Sequence, residues 1–249
     1  MSYLTVTKEN IETEHICCAI SNSTSDTRVT TKKEWLKKAF GDGLKFVKLN
    51  ERGKVFIEYL PSEKAWVPIE ADNYYYINCF WVSGKFVKQG HGSALLDICL
   101  GDAKKEKKDG LVVLSSKKKM PFLSDPIFLK KKGFMVADTR GYFELLYLPL
   151  NEKAVIPKFK NMVDLKIAQK GIVVYYSNQC PHTEMYVEII KEMAIAKDVP
   201  FEAIRFNSYQ EAQASPSPFT TYSFFDEGEF ITNEIFGPKK FEKYLDNRK

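Results

Sequence analysis

The chain contains no Cys-x-x-Cys pair. Its five cysteines (Cys17, Cys18, Cys79, Cys99 and Cys180) form an odd set, which argues against a disulfide framework and a structural zinc site and fits a reducing cytoplasm. Histidine is scarce: His15, His91 and His182 stand far apart, so no metal site is expected. No stretch approaches the roughly 18 apolar residues that span a bilayer. The opening MSYLTVTKENIETEH has no basic segment ahead of an apolar run, so no secretory leader is expected either. There is no dense basic tail with interleaved aromatics, which removes the usual single-strand nucleic-acid binder. No internal repeat is visible.

What remains is a chain of 249 residues, comfortable for two domains. Hydrophobic residues make up 44% and charged residues 28%, enough apolar mass to bury real cores without wholesale disorder. The net charge of +5 suits a protein that handles phosphorylated ligands. Aromatics at 14% leave room for a homodimer face.

Residues 31–40, TKKEWLKKAF, have Trp35, Leu36 and Ala39 on one side, and Gly41 and Gly43 follow. A short amphipathic helix is predicted. LKFVKL (44–49) and KVFIEYL (54–60) flank Asn50-Glu51-Arg52-Gly53 as a hairpin. YYYINCFWV (74–82) is apolar on both faces and reads as a central buried strand. After a glycine-rich turn, Leu95, Leu96, Cys99 and Ala103 recur at helical spacing, with lysines crowding the last turn. LVVLSS (111–116) is another buried strand. Asp125-Pro126 opens a short helix, PIFLKKK, as cap and first helical residue. FMVAD and YFELLYL then pair around Thr139-Arg140-Gly141. Residues 151–170 read as a linker. A second series begins at 172 in the order β-α-β-α-β-β-α, closing with a helix from Pro238.

Gly90-His91-Gly92 lies between a buried strand and a helix. Such a junction offers unpaired backbone N–H groups and the positive end of the helix dipole, and glycine lets a phosphate come close. The same pattern is also found in a tight turn with no ligand. Order decides between them. Helix, hairpin, long strand, Gly-x-Gly, helix, strand, short helix, Gly-Phe and final hairpin together resemble the GNAT family of N-acetyltransferases over residues 3–150. A dinucleotide-binding fold fits worse, because a hairpin precedes the first strand and no acidic residue follows at the right place.

The resemblance implies a mixed sheet with flanking helices and acetyl-CoA as co-substrate. Its pyrophosphate would lie on Val87, Lys88, Gln89, Gly90, His91, Gly92 and Ser93, with Phe80, Trp81 and Val82 beside the thioester. It also implies a small-molecule or peptide amine as acceptor. Two family features are missing: the usual acid tyrosine falls at Leu129, and a base glutamate found in some members falls at Tyr76. Tyr76 and Asp125 are the remaining catalytic candidates. Each has a plainer reading, as a core aromatic and as a helix cap. Cys79 reads as a buried thiol, and Lys117-Lys118-Lys119 as a loop near the substrate entrance. Cys17-Cys18, read as lying on a strand, would point to opposite faces.

In the second series Cys180 sits where a strand meets a helix, a setting that lowers a thiol pKa. This position, the element order, and Ser217-Pro218 before a strand resemble the thioredoxin superfamily, in which a cis-proline faces the active cysteine. The fourth motif position is Thr183, so only monothiol chemistry remains. The whole arrangement resembles transferases with a YoaP-like C-terminal domain. The expected fold is therefore α/β (α+β), with a GNAT domain over 1–150, a linker over 151–170 and a thioredoxin-like βαβαββα domain over 171–249. The expected function is cytoplasmic N-acetyl transfer, without metal, nucleic acid or membrane. The alternative is an acyl-CoA-binding or monothiol protein working through Cys180.

Overall fold

The computed structural model describes residues 2–16, 18–21, 23 and 25–248. The first part runs β1 (Tyr3–Val6), α1 (Thr27–Gly41), β2 (Lys45–Leu49), β3 (Val55–Pro61), β4 (Ile69–Glu70), β5 (Tyr74–Val82), α2 (His91–Lys105), β6 (Gly110–Ser116), α3 (Pro126–Lys131), β7 (Met135–Arg140) and β8 (Phe143–Pro149). Seven of these strands form one mixed sheet in the order β1-β2-β3-β5-β6-β8-β7. Helix α1 starts four residues before the predicted 31, because the Asp26 side chain accepts from Arg28 N and caps it. Strand β1, absent from the sequence reading, pairs antiparallel with β2. The β7–β8 turn falls on Gly141 and Tyr142, one residue later than expected. Cys17 lies outside the described residues. Cys18 lies in a bend, so the alternation expected of a strand does not apply there.

Alternation along the strands divides the apolar residues between two faces. One face packs Val55, Ile57, Tyr59, Tyr75, Ile77 and Val113 under Leu95, Leu96, Cys99 and Leu129 of α2 and α3. The other carries Phe46, Phe56, Leu60, Tyr74, Tyr76 and Val112 under Trp35 and Leu36 of α1, and this core runs on into Phe206 and Ala212.

The geometry that matters most is a divergence. Strands β5 and β6 are parallel, but they pair only over Tyr74–Ile77 against Gly110–Val113. Beyond that β5 continues to Val82 and β6 to Ser116 with no register between them, so the sheet opens into a V. The β5 side is bent further by a bulge at Asn78, where the register with β3 shifts between Glu58 and Tyr59.

The remainder runs β9 (Lys158–Phe159), β10 (Ile172–Tyr176), α4 (Thr183–Ile195), β11 (Phe201–Arg205), α5 (Tyr209–Ala212), β12 (Tyr222–Asp226), β13 (Glu229–Thr232) and α6 (Pro238–Asp246). The last four strands order as β11-β10-β12-β13, with β10 and β11 parallel and the other pairs antiparallel. The βαβαββα order is as expected. The proline geometry is not: no peptide bond among the described residues is cis, so Ser217–Pro218 is trans.

The stretch read as a linker is tied to the first domain. Strand β9 pairs with β4, Phe159 and Val163 are buried, and Tyr74 donates to Val155 O at 2.9 Å. The two domains share a polar seam as well as a core. Lys32, fully buried on α1, donates to Gln179 O at 2.6 Å and to Glu58 Oε2 at 2.9 Å. Thr220 donates to Trp66 O, and Gln213 to Glu63 O and Ala65 O.

Candidate active site

The V continues into a cleft of about 900 Å³ on the α2 and α3 face. Its β5 wall is Phe80, Trp81 and Val82, and its floor is the turn of Val87, Lys88, Gly90, His91, Gly92 and Ser93. The opposite wall comes from the loop after β6 (Lys119 to Leu123), then Asp125, Phe128 and Lys131.

The turn is shaped for an anion. Gly90 caps α2 at φ +85°, and Lys88 before it stands at φ +65°, so two left-handed residues turn the backbone sharply. Ala94 N is the first amide to bond back, to Gly90 O at 3.1 Å. The helical amides ahead of it are the orphan donors of any helix start. A Cβ built on Gly90 would meet nothing within 4 Å, so the space in front of those amides is open. At Gly92 a Cβ would come to 3.3 Å from Phe128, so glycine there lets α2 lie close against α3. The donor set here is backbone N–H groups at a helix start that lines the cleft, which is chemistry suited to an anion.

Two expected contacts differ. Gln89 does not line the cleft; it is exposed, and its side chain donates back to Lys85 O at 2.6 Å. The His91 side chain is a tether. It is buried, 3.0 Å from the Tyr3 hydroxyl and edge-on to Phe86, and so pins β1 beside the turn.

Neither predicted acid-base candidate looks poised for proton transfer. Tyr76 is buried on the far face, within the core under α1, and burial raises its hydroxyl pKa. Asp125 lines the cleft but caps α3, accepting from Ile127 N and Phe128 N. Burial pulls its pKa up. Lys119 at 2.9 Å and the two amides more than offset this, leaving the carboxyl below the usual range.

Cys180 shows the clearest departure. A thiol at a helix start was expected to ionise readily. Instead burial dominates: it outweighs the His182 amide, Lys32 and Thr183, and with Cys18 nearby the thiol is pushed up to about 11. Its loop faces inward, since Gln179 O is the acceptor for Lys32.

The sequence reading missed Glu58. It is fully buried on β3, opposite Cys79 of β5 and therefore beside the mouth of the V on the α1 face. Its Oε2 accepts from Lys32 and, at 3.2 Å, from Asn78 at the bulge. Its Oε1 has no hydrogen-bond partner among the described residues. A carboxylate oxygen left unpaired in a core is costly enough to need an explanation. The signal was present in Val55-Phe56-Ile57-Glu58-Tyr59-Leu60, one charge inside an apolar strand. The aromatic lining from Phe86 and Phe122 also had no motif to announce it.

Comparison with known proteins gives the family. A family model described as YoaP-like matches residues 200–243. Over 247 residues, covering 98% of both chains, the sequence is 46% identical to an uncharacterized N-acetyltransferase YoaP of Bacillus subtilis (strain 168). The chain belongs to the YoaP family of N-acetyltransferases. Solved structures that resemble this YoaP-family chain include a putative GNAT-family acetyltransferase from Desulfovibrio desulfuricans, at 14% identity and a TM-score of 0.44, covering 60% of this chain and all of that one. Another is the PaiA N-acetyltransferase from Thermoplasma acidophilum, crystallised with coenzyme A. It gives 16% identity and a TM-score of 0.40, covering 60% of this chain and 99% of that one. Among the described residues no helix is long and apolar enough to cross a membrane.

Proposed function

We propose that this protein transfers an acetyl group from acetyl-CoA to the nitrogen of a small-molecule or peptide amine, with the co-substrate in the β5–β6 cleft. The observation that carries this is the open space in front of the α2 amides at Gly90, continuous with a V between two parallel strands. The amides of residues 90–93 would hold the pyrophosphate, with Lys88, Lys119 and Lys131 adding positive charge around it. Acetyl-CoA supplies an activated thioester. The strand residues Phe80 to Val82 and the aromatic wall would line it and fix its direction, and positioning of this kind contributes a large share of such rates. Glu58, held by Lys32 and Asn78, steadies β3 against the bulge of β5 at the mouth of the V. Asp125, already engaged as a cap, keeps α3 in place.

The reading that makes Cys180 a redox centre is disfavoured by the raised thiol pKa and by the inward turn of its loop.

The test is titration calorimetry of acetyl-CoA into the wild type and a Gly90→Glu/Gly92→Glu double variant, with folding checked by circular dichroism. Low-micromolar binding by the wild type, weakened at least about a hundredfold in a folded variant, is the expected result, since two carboxylates would meet the pyrophosphate in a low-dielectric site. An amine panel followed by thiol release then identifies the acceptor. Absence of binding by the wild type would sink the assignment of the cleft.

A further inference from the structure

The loop after β6 forms one wall of the cleft, and it is anchored at both ends within the first domain. Lys117 N donates to Tyr142 O at 3.1 Å, and Ser115 Oγ to Ser124 O at 2.7 Å. Its crest is held differently. Pro121, a cleft-lining residue, has its carbonyl bonded at 3.1 Å by Nδ2 of Asn233, which belongs to the second domain just after β13. Asn233 is fully buried. Its Oδ1 accepts from the Tyr142 hydroxyl at 2.6 Å, so the amide orientation is fixed: a carbonyl can only accept, and Nδ2 must face Pro121. Phe230, on the same hairpin, packs its ring against Tyr142 and Phe143 at 6.1 and 5.7 Å. These two bonds of the buried side chain therefore both go to the first domain, one of them to the wall of the cofactor cleft.

We propose that the second domain is a working part of the acetyl-CoA site: Asn233 is a positioning residue that sets the Met120–Leu123 crest, so cofactor affinity depends on the docked hairpin. The inference rests on the cleft being the acetyl-CoA site. Asn233 touches no reacting atom and acts through Pro121. The geometry also implies reciprocity. If docking improves cofactor binding, cofactor binding must strengthen docking by the same factor.

The test titrates acetyl-CoA into full-length wild type, Asn233→Ala and Gln213→Ala. The second variant is the control, because Gln213 also bonds across the seam but reaches Glu63 O, Ala65 O and Lys160 Nζ, away from the cleft. The expected result is about a tenfold weaker affinity for Asn233→Ala, the value of one well-made buried hydrogen bond, and a change within about twofold for Gln213→Ala. Equal weakening in both would mean general loosening of the seam and would overturn the proposal, as would wild-type affinity in Asn233→Ala. If Asn233→Ala does not fold, hydrogen exchange on the wild type decides. Acetyl-CoA should slow exchange over residues 229–236, none of which lines the cleft, and unchanged exchange there overturns the inference. A wild type that binds no acetyl-CoA would overturn the cleft assignment itself. Binding with an indifferent Asn233 would overturn only this inference.

Discussion

Two junctions in this molecule have the same local recipe, a buried strand, a short turn and a helix, and opposite fates. Before α2 the turn is open: glycine sits at φ +85°, and the space in front of the amides is free. Before α4 the turn is closed: Gln179 is buried, its carbonyl is taken by Lys32, and Cys180 is half-buried beside it. The helix dipole is similar in both places. What differs is desolvation, which at Cys180 raises the thiol pKa by more than the neighbouring amide and cation lower it. A helix start becomes a site for negative charge only where solvent or a ligand can reach it.

Three perturbations sharpen or break that contrast. The largest effect is expected from Lys32→Met. It strips the seam of its cation and leaves Glu58 as an uncompensated buried charge, which typically costs about 3–5 kcal/mol. Denaturant melts should show the loss. A variant as stable as the wild type would mean the seam is held by apolar packing alone, and the closed junction would need another explanation.

Next comes the thiol itself. With its pKa near 11, Cys180 should react with iodoacetamide at pH 8 about a hundredfold more slowly than an ordinary free cysteine, whose thiolate is well populated there. The rate should climb about tenfold per pH unit until roughly pH 11. Peptide mapping after timed alkylation measures it, and fast labelling at pH 8 would revive the monothiol reading.

The smallest effect is expected at the open junction's neighbour, Asp125. As a cap held by Lys119 it should tolerate Asp125→Asn with kcat changed less than about threefold, where loss of a general base costs a hundredfold or more. Its depressed pKa also has a signed consequence. The folded carboxyl ionises below its unfolded value, so its contribution to stability is present above the unfolded pKa and fades as pH falls through the folded one. The stability difference between wild type and Asp125→Asn should therefore shrink in acid. A difference that grows there would contradict the pairing.

Much of this was legible in the residues. The strand Tyr74–Val82 matched its predicted limits, and the glycine turn, α2 and the short α3 were each announced by caps, glycines or spacing. These signals are local, since a few neighbouring residues fix each one. The missed features are relational. Strand β1 is four residues long and is specified by pairing with β2. Glu58 reads as an ordinary charge until α1 brings Lys32 beneath it. The Cys180 turn looks activated until the first domain is laid against it. The trans bond at Pro218 belongs with these, because nothing in Ser217-Pro218 alone selects the isomer.

The pairing of β9 with β4 bears on where the chain can be cut. Phe159 fills the first domain's core and Val155 O receives the Tyr74 hydroxyl. A transferase half ending at residue 150 would therefore leave an aromatic-sized hole and a bare strand edge. The covalent order of the chain suggests a boundary near 150, but the packing does not release its hold until after Val163. An expression fragment meant to stand alone must carry that stretch with it.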